Sequence, residues 1–306
     1  MKHLLLCLLF IACSREKPAD IDDKRLPELA AKKAFYCEQG KIQYDLRKYM
    51  VGRCDGLLFT SLWSISCGYG DVGDFQDPAK PGYWHRNPKR DCYVAGSPNP
   101  DNGAKSSISK DMILGLLYYI WKTKNDGYAD GLIAYGEANS WLMGDAIDAK
   151  TRISRTLLSP GLIDLLYAIQ NSLGLQSQGD TSGDAFFVNK DFQAHLDVIR
   201  ILLEGSVKGS ISAVQAAVLD AQADRNTDNA LFVAAAARYG KATAKDAITF
   251  LLDSPHFPNE RLPTAAEHCE PYLFQRDKGK DWQPCEGGTH DGTDFVVAAS
   301  ILDGSL

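Results

Sequence analysis

Apolar positions recur at helical spacing over most of the chain. The clearest case is Ser109–Lys124, which is apolar on most of its surface and predicts a buried helix. Pro160–Leu173 follows Ser159 as N-cap and stops before Gly174, as helices commonly do. The predicted helices are Leu57–Ser66, Ser109–Lys124, Tyr128–Met143, Pro160–Leu173, Phe192–Leu203, Ser210–Ala223, Asp228–Tyr239, Thr243–Leu252 and Asp294–Leu302.

Short turns join many of these helices, and no segment shows a convincing alternation of apolar and polar residues. Helices joined by short turns usually pack as antiparallel hairpins. The sequence therefore predicts an all-α fold, either as an array of helical hairpins or as a closed α/α toroid. No clean repeat period distinguishes the two arrangements.

Two long segments, Gly68–Ser107 and Ser254–Thr293, interrupt the helical pattern. Loops of this length in a compact domain are usually functional or disordered. Both are rich in Trp, Tyr and Cys, which favours ordered structure. We expect two long, disulfide-containing loops that form the walls of a cleft.

The N-terminus has the pattern of an export signal. Leu4–Ala12 is an apolar run that is too short to span a bilayer, which requires about 20 residues, but is typical of a secretory signal. The stretch Leu9–Cys13 resembles the bacterial lipobox. That resemblance implies cleavage before Cys13 and lipid attachment to Cys13, while Ser14 is compatible with transfer to an outer membrane. The alternative is an ordinary signal peptide in which Cys13 has no special role.

Three regions follow from this N-terminal sequence. Residues 1–12 are predicted to be the signal peptide. Residues 13–28 are predicted to be the lipidated cysteine and a flexible tether, because Ser14–Lys24 is charged and has few apolar residues. Residues 29–306 are predicted to form a single helical domain. We expect an exported protein anchored by lipid at the periplasmic face of an outer membrane or at the cell surface.

The overall charge restricts the partners. The chain is 45% hydrophobic with a net charge of −6. An acidic surface is a poor general ligand for nucleic acid, whose binding depends on basic side chains. The predicted partners are a lipid bilayer, through Cys13, and a polysaccharide.

Cysteine usage agrees with export. Apart from Cys7 in the signal peptide and Cys13, an even number of cysteines remains, which is typical of disulfides in an exported chain. These are Cys37, Cys54, Cys67, Cys92, Cys269 and Cys285. Cys269 with Cys285 is the favoured pair, and the other four are expected to pair in the N-terminal region. A zinc site at His268, Cys269, Cys285 and His290 is the alternative.

Two short motifs are rejected as cofactor or metal sites. Gly68–Gly73 matches the dinucleotide-binding pattern GxGxxG, but it follows a predicted helix where that site needs a strand. Asp224, Asn226 and Asp228 match the start of a calcium loop that lacks its later Gly and Glu. Asp228 is instead expected to cap the next helix. No cofactor or metal is predicted.

Candidate catalytic residues are acids near helix starts. Asp55 and Asp111 precede or open predicted helices, as do Asp291 and Asp294. Acids at helix starts are often purely structural, because they favour the positive end of the helix dipole. Two facing carboxyl groups are also the minimum for glycoside hydrolysis. Glu137, on a helix with small and aromatic residues, is a third candidate and is either a general acid or an exposed helix position.

Candidate substrate-binding residues lie in the two long loops. Aromatic faces suit sugar rings, and arginine suits carboxylates. The alternative for the first loop is a solvated loop whose aromatics pack the edge of the core. The predicted binding residues are Tyr83, Trp84, His85 and Arg86 in the first loop, and Arg276, Trp282 and His290 in the second.

Helical hairpins, aromatic loops and acids at helix starts together are similar to the α/α-toroid glycosidases and polysaccharide lyases. The resemblance is architectural, and it implies cleavage of an acidic or cell-wall polysaccharide by hydrolysis or elimination. A lyase would use Tyr83, His85 or His290 as the base, with Arg86 neutralising a uronate. The alternative function is a non-catalytic envelope lipoprotein that binds glycan or scaffolds partners, since fold analogy alone does not establish an activity.

Overall fold

A computed structural model describes residues 15–21, 23–50, 56–90, 107–144, 156–174, 192–240, 242–262 and 292–306. Within them the protein is mostly helical, which confirms the all-α class; closure into a toroid stays a prediction. The helices are α1 (Leu26–Arg47), α2 (Gly56–Cys67), α3 (Lys110–Thr123), α4 (Asp126–Ala138), α5 (Pro160–Ser172), α6 (Phe192–Lys208), α7 (Ala213–Arg225), α8 (Ala230–Tyr239), α9 (Ala244–Asp253) and α10 (Thr293–Leu302).

Each predicted helix is present, and three details differ. Helix α4 ends at Ala138, because Ser140 and Trp141 adopt left-handed backbone conformations that turn the chain. Helix α6 continues through Gly205 to Lys208. Gly205 packs closely against Tyr239, whose Oη would lie 2.6 Å from an added Cβ. Helix α8 is capped by Asn229, and the prediction that Asp228 caps it is wrong.

Helix α1 was not predicted from the apolar pattern. Its buried positions recur every three or four residues, as in any amphipathic helix, but two of them are not apolar. The buried residues are Leu29, Lys32, Tyr36, Gly40 and Tyr44. The predicted domain start at residue 29 therefore falls three residues inside this helix, which begins at Leu26.

The described residues form two compact units, of which residues 40–184 make up one. Its central contact is between α2 and α3, and α4 and α5 pack on each other and on α3. Gly115 allows the close approach of α2 and α3, since a Cβ there would lie 2.9 Å from Leu58 Cδ1. Leu58 and Gly115 both lie in the first half of their helices.

Residues 1–39 and 185–306 make up the other unit. Helix α8 lies at its centre and contacts α6, α7, α9 and α10. Small side chains, such as Ala234 to Ala237, are buried along α8 and let neighbouring helices approach. Two short strands, β1 (Arg15–Glu16) and β2 (Ile211–Ser212), pair antiparallel in the same unit.

Part of the predicted tether makes contacts within this unit. Beyond the β1–β2 pair, the Ala19 amide donates to the Arg238 carbonyl at 2.7 Å, and Arg238 Nη1 donates to the Ala19 carbonyl at 2.6 Å. Ile21 is buried. Residues 15–21 are therefore held by specific hydrogen bonds, which their polar composition did not indicate.

One disulfide lies within the described residues. It joins Cys37 in α1 to Cys67 at the end of α2, a pairing within the N-terminal set of four cysteines. The favoured pair Cys269–Cys285, with Cys54 and Cys92, lies outside the described residues. None of the helices that the structure describes is long and apolar enough to cross a membrane.

Candidate functional site

The first aromatic loop folds back on itself and is largely buried. The Asp77 amide donates to the Tyr83 carbonyl at 2.8 Å, and the His85 amide donates to the Phe75 carbonyl at 2.8 Å. Tyr83 is 5% exposed and Trp84 0%. The Trp84 ring lies edge-on to Tyr128 at 5.0 Å. These aromatic side chains pack the core, as the alternative interpretation predicted, but residues 82–87 are buried and do not form the solvated loop that it described.

Two glycines bring this loop onto helix α4. Gly82 has a φ of 83°, and a Cβ there would overlap the Gly131 carbonyl oxygen. The same approach places the Tyr83 ring 5.5 Å from the Tyr135 ring. The aromatic loop is therefore anchored to α4 through backbone contact that no larger residue would allow at position 82.

His85 is paired with an acid that the sequence did not single out. Its Nε2 lies 3.2 Å from Asp77 Oδ2, and Arg90 Nη1 lies 3.5 Å from the same oxygen. A hydrogen bond from the Ala79 amide, followed by the one from His85, lowers the pKa of Asp77. Asp77 therefore stays ionised and orients the His85 ring.

Arg86 joins the starts of α2 and α3. Its carbonyl accepts from the Leu57 amide at 3.0 Å, in the first turn of α2. Its Nε donates to the Ser107 carbonyl at 2.8 Å, and its Nη2 donates to Ser109 Oγ at 3.0 Å. Arg86 therefore brings the starts of these two helices together.

Asp111 lies at this junction and is 1% exposed. Ser109 Oγ donates a short hydrogen bond to Asp111 Oδ1. A carboxylate in the first turn also interacts favourably with the helix dipole. Asp294 has a similar position in α10, where its Oδ1 accepts from the Phe295 amide at 3.0 Å and the residue is buried.

Glu137 has a different environment from Asp111. It lies exposed in the last turn of α4, and its Oε1 accepts a hydrogen bond from Tyr167 Oη at 2.9 Å. Burial, followed by the hydrogen bond to Glu137, raises the pKa of Tyr167 to about 12. Glu137 therefore occupies an exposed helix position, which was one of its two predicted environments.

A cluster of tyrosines surrounds Asp71, and no sequence pattern indicated it. Tyr44 Oη donates to the Asp71 carbonyl and accepts from the Asp71 amide, both at 2.8 Å. Tyr119 Oη donates to Asp71 Oδ1 at 3.0 Å. Burial raises the pKa of Tyr44, Tyr119 and Tyr128. Asp71 lies in the rejected GxGxxG segment, whose glycines mark this tight loop.

Several predicted residues lie outside the described part of the chain. They are Cys13, Asp55, His268, Arg276, Trp282, His290 and Asp291. The separation of Asp55 and Asp111 therefore stays untested. Among the residues that the structure does describe, no group of three or more His, Cys, Asp or Glu side chains could hold a metal ion.

No family model matches this chain, and neither a curated protein nor a solved structure matches it. The function must therefore be argued from the geometry of its own residues.

Proposed function

We propose that this protein is an exported lipoprotein, anchored to a membrane through Cys13, whose helical domain binds envelope glycan or scaffolds partners there. The observation that carries the proposal is the Cys37–Cys67 disulfide. Such bridges persist in oxidising compartments outside the cytosol. The lipobox-like stretch Leu9–Cys13 supplies the anchor.

The environments of the predicted acids support binding over catalysis. A glycosidase needs two carboxyl groups that reach the same glycosidic bond. Asp111 is buried and accepts a hydrogen bond from Ser109, whereas Glu137 is exposed and accepts one from Tyr167. These side chains have structural partners that account for their positions.

Export and anchoring are tested by expressing the full chain with fatty-acid labelling and membrane fractionation. We expect the wild type to be labelled and to sediment with membranes, and Cys13→Ala to lose both properties. Cys7→Ala is the matched control, because it removes the other cysteine of the N-terminal segment and should leave labelling unchanged. Labelling that persists in Cys13→Ala would refute the anchor.

Glycan cleavage is the second candidate function. It is favoured by Arg86, which draws the starts of α2 and α3 together beside Asp111. Asp55, directly before α2, would supply the second carboxyl group. The substrate would be an acidic or cell-wall polysaccharide, cleaved by hydrolysis or by elimination.

Cleavage is tested by incubating the mature protein with such polysaccharides and measuring new reducing ends and the ultraviolet absorbance of unsaturated products. Reducing ends without absorbance would identify a hydrolase, and both together a lyase. Activity lost in Asp111→Asn and in Asp55→Asn, with folding retained, would support this function. No cleavage by folded, oxidised protein would leave the binding role.

A further inference from the structure

One group of side chains, at the end of α4 and in the middle of α5, places a half-buried tryptophan near an exposed carboxylate. We call it the Trp141 surface, defined by Glu137, Trp141 and Tyr167. The rings of Trp141 and Tyr167 lie 5.7 Å apart at 79°, and both residues are half-buried. Tyr167 Oη donates to Glu137 Oε1 at 2.9 Å, and Glu137 is exposed.

The indole of Trp141 packs against helix α4, and the backbone of Trp141 is hydrogen-bonded on both sides. Its amide donates to the Gly136 carbonyl at 2.6 Å, and its carbonyl accepts from the Leu158 amide at 3.1 Å. A Cβ at Gly136 would overlap Trp141 Cε3, so the ring lies directly against the backbone of α4. One side of the indole is thus fixed to the protein before any ligand arrives.

Two polar groups of this surface remain available. Within the described residues, Glu137 Oε2 and the Trp141 Nε1–H have no hydrogen-bond partner. Because the other carboxylate oxygen is bound by Tyr167, the orientation of Glu137 is set in advance. A carboxylate oxygen accepts from hydroxyl or amino groups, and a flat aromatic ring packs against the apolar face of a sugar.

The charge of the two helices selects among sugars. Neither α4 nor α5 contains a lysine, arginine or histidine. Their acids are Asp126, Asp130, Glu137 and Asp164. An anionic ligand at Glu137 would therefore meet a like charge there and no cation on α4 or α5, whereas a neutral or amine-bearing ligand would not be repelled.

We propose that the Trp141 surface is a binding site for a glycan without acid groups, in which a sugar ring stacks on Trp141 and a hydroxyl or amino group donates to Glu137 Oε2. Tyr167 is a positioning residue, since it acts through Glu137. The inference rests on the glycan-binding part of the proposed function and specifies its ligand class as neutral or amino sugars.

Isothermal titration of the full mature protein in detergent tests this proposal. The probes are oligomers of N-acetylglucosamine, glucosamine and galacturonic acid, which are neutral, cationic and anionic. We expect binding of the first two and much weaker binding of the third. Glu137→Gln should weaken binding about tenfold, because the neutral amide is a weaker acceptor than the carboxylate. Tyr167→Phe should weaken it about fivefold, because it removes the hydrogen bond that orients Glu137.

Asp130→Asn is the matched control. Asp130 also lies on α4 and accepts a hydrogen bond from α5, from Gln170 Nε2 at 2.7 Å. The substitution makes the same charge change without touching the Trp141 surface, and it should leave binding within about twofold. Trp141→Ala should abolish binding if it folds, and Glu137→Gln decides the outcome if it does not.

Three other results of the titration are possible, and each contradicts a different part of the proposal. Oligomer binding that Glu137→Gln leaves unchanged would place the glycan elsewhere and retain a glycan-binding role. Tightest binding of the anionic oligomer would overturn the ligand class. Binding of no glycan at all would remove the glycan part of the proposed function too, whereas the lipid anchor is tested independently through Cys13.

Discussion

Arg86 Nε donates a 2.8 Å hydrogen bond to the carbonyl oxygen of Ser107. The buried guanidinium also donates to Ser109, so it satisfies two acceptors at the start of α3. The backbone carbonyl of Arg86 accepts from the Leu57 amide at the start of α2. An arginine predicted to bind substrate therefore has a structural role that accounts for its burial.

Arg86→Met should lower the free energy of unfolding by about 2–4 kcal/mol, because buried acceptors at the start of α3 lose their donor. Denaturant unfolding measures the change. Lys89→Met, at an exposed position of the same loop, should change stability by less than about 0.5 kcal/mol. Equal effects of the two substitutions would mean that the Arg86 contacts do not stabilise the protein.

Lys32 should make the free energy of unfolding depend on pH in the alkaline range. Its Nζ donates to the carbonyls of Leu251 and Leu252, and burial lowers its pKa to about 8. Between about pH 8 and about pH 10.4 the native state releases this proton while the unfolded chain keeps it. Stability from this group therefore rises with pH across that window, by at most about 3 kcal/mol.

The measurement is the free energy of unfolding of the wild type minus that of Lys32→Met, followed from about pH 7 to about pH 10. The subtraction removes the tyrosines and other groups that titrate in both proteins. We expect the difference to increase towards alkaline pH. A constant or falling difference would show that the pKa of Lys32 is not lowered in the folded protein.

Ser140 has a φ of 52°, and it is an exposed residue in a conformation that glycine adopts without strain. Ser140→Gly should therefore raise the free energy of unfolding by about 0.5–1 kcal/mol. Ala134→Gly, at an exposed position within α4, should lower it by about 1 kcal/mol. Thermal and chemical unfolding would report opposite signs for these two substitutions if the left-handed turn is present.

The Cys37–Cys67 bridge should appear directly in peptide mapping of the oxidised protein. The double variant Cys37→Ala/Cys67→Ala should lose about 3 kcal/mol of stability, because the unfolded chain gains freedom. Reductant should then destabilise the wild type more than the double variant. A peptide that links Cys37 to Cys54 or Cys92 would contradict the structure.

The helices were the part of the fold that local patterns predicted well. The segments that became α3 and α5 have apolar stripes and clear start signals, and α5 begins at the predicted residue. Helix α1 was missed because its buried stripe includes Lys32 and Gly40. Lys32 is buried by donating to the end of α9, and Gly40 by close packing against Trp63. Neither contact is visible to a hydrophobic pattern.

The candidate site was harder to predict, because a side chain's neighbours decide its role. Composition identified Trp84, Arg86, Asp111 and Glu137 as residues with useful chemistry. Only the packing made Trp84 a core residue and left Trp141, which composition did not single out, half-buried near the exposed Glu137.

Helix positions follow from contacts within a few residues, so the amino-acid order was sufficient to locate most of them. The disulfide between Cys37 and Cys67 joins residues that are distant along the chain, as do the hydrogen bonds of Arg86 and Glu137. The burial of a side chain likewise depends on distant residues. Such contacts depend on how the helices pack, because the same polar side chain binds a ligand when exposed and a backbone carbonyl when enclosed.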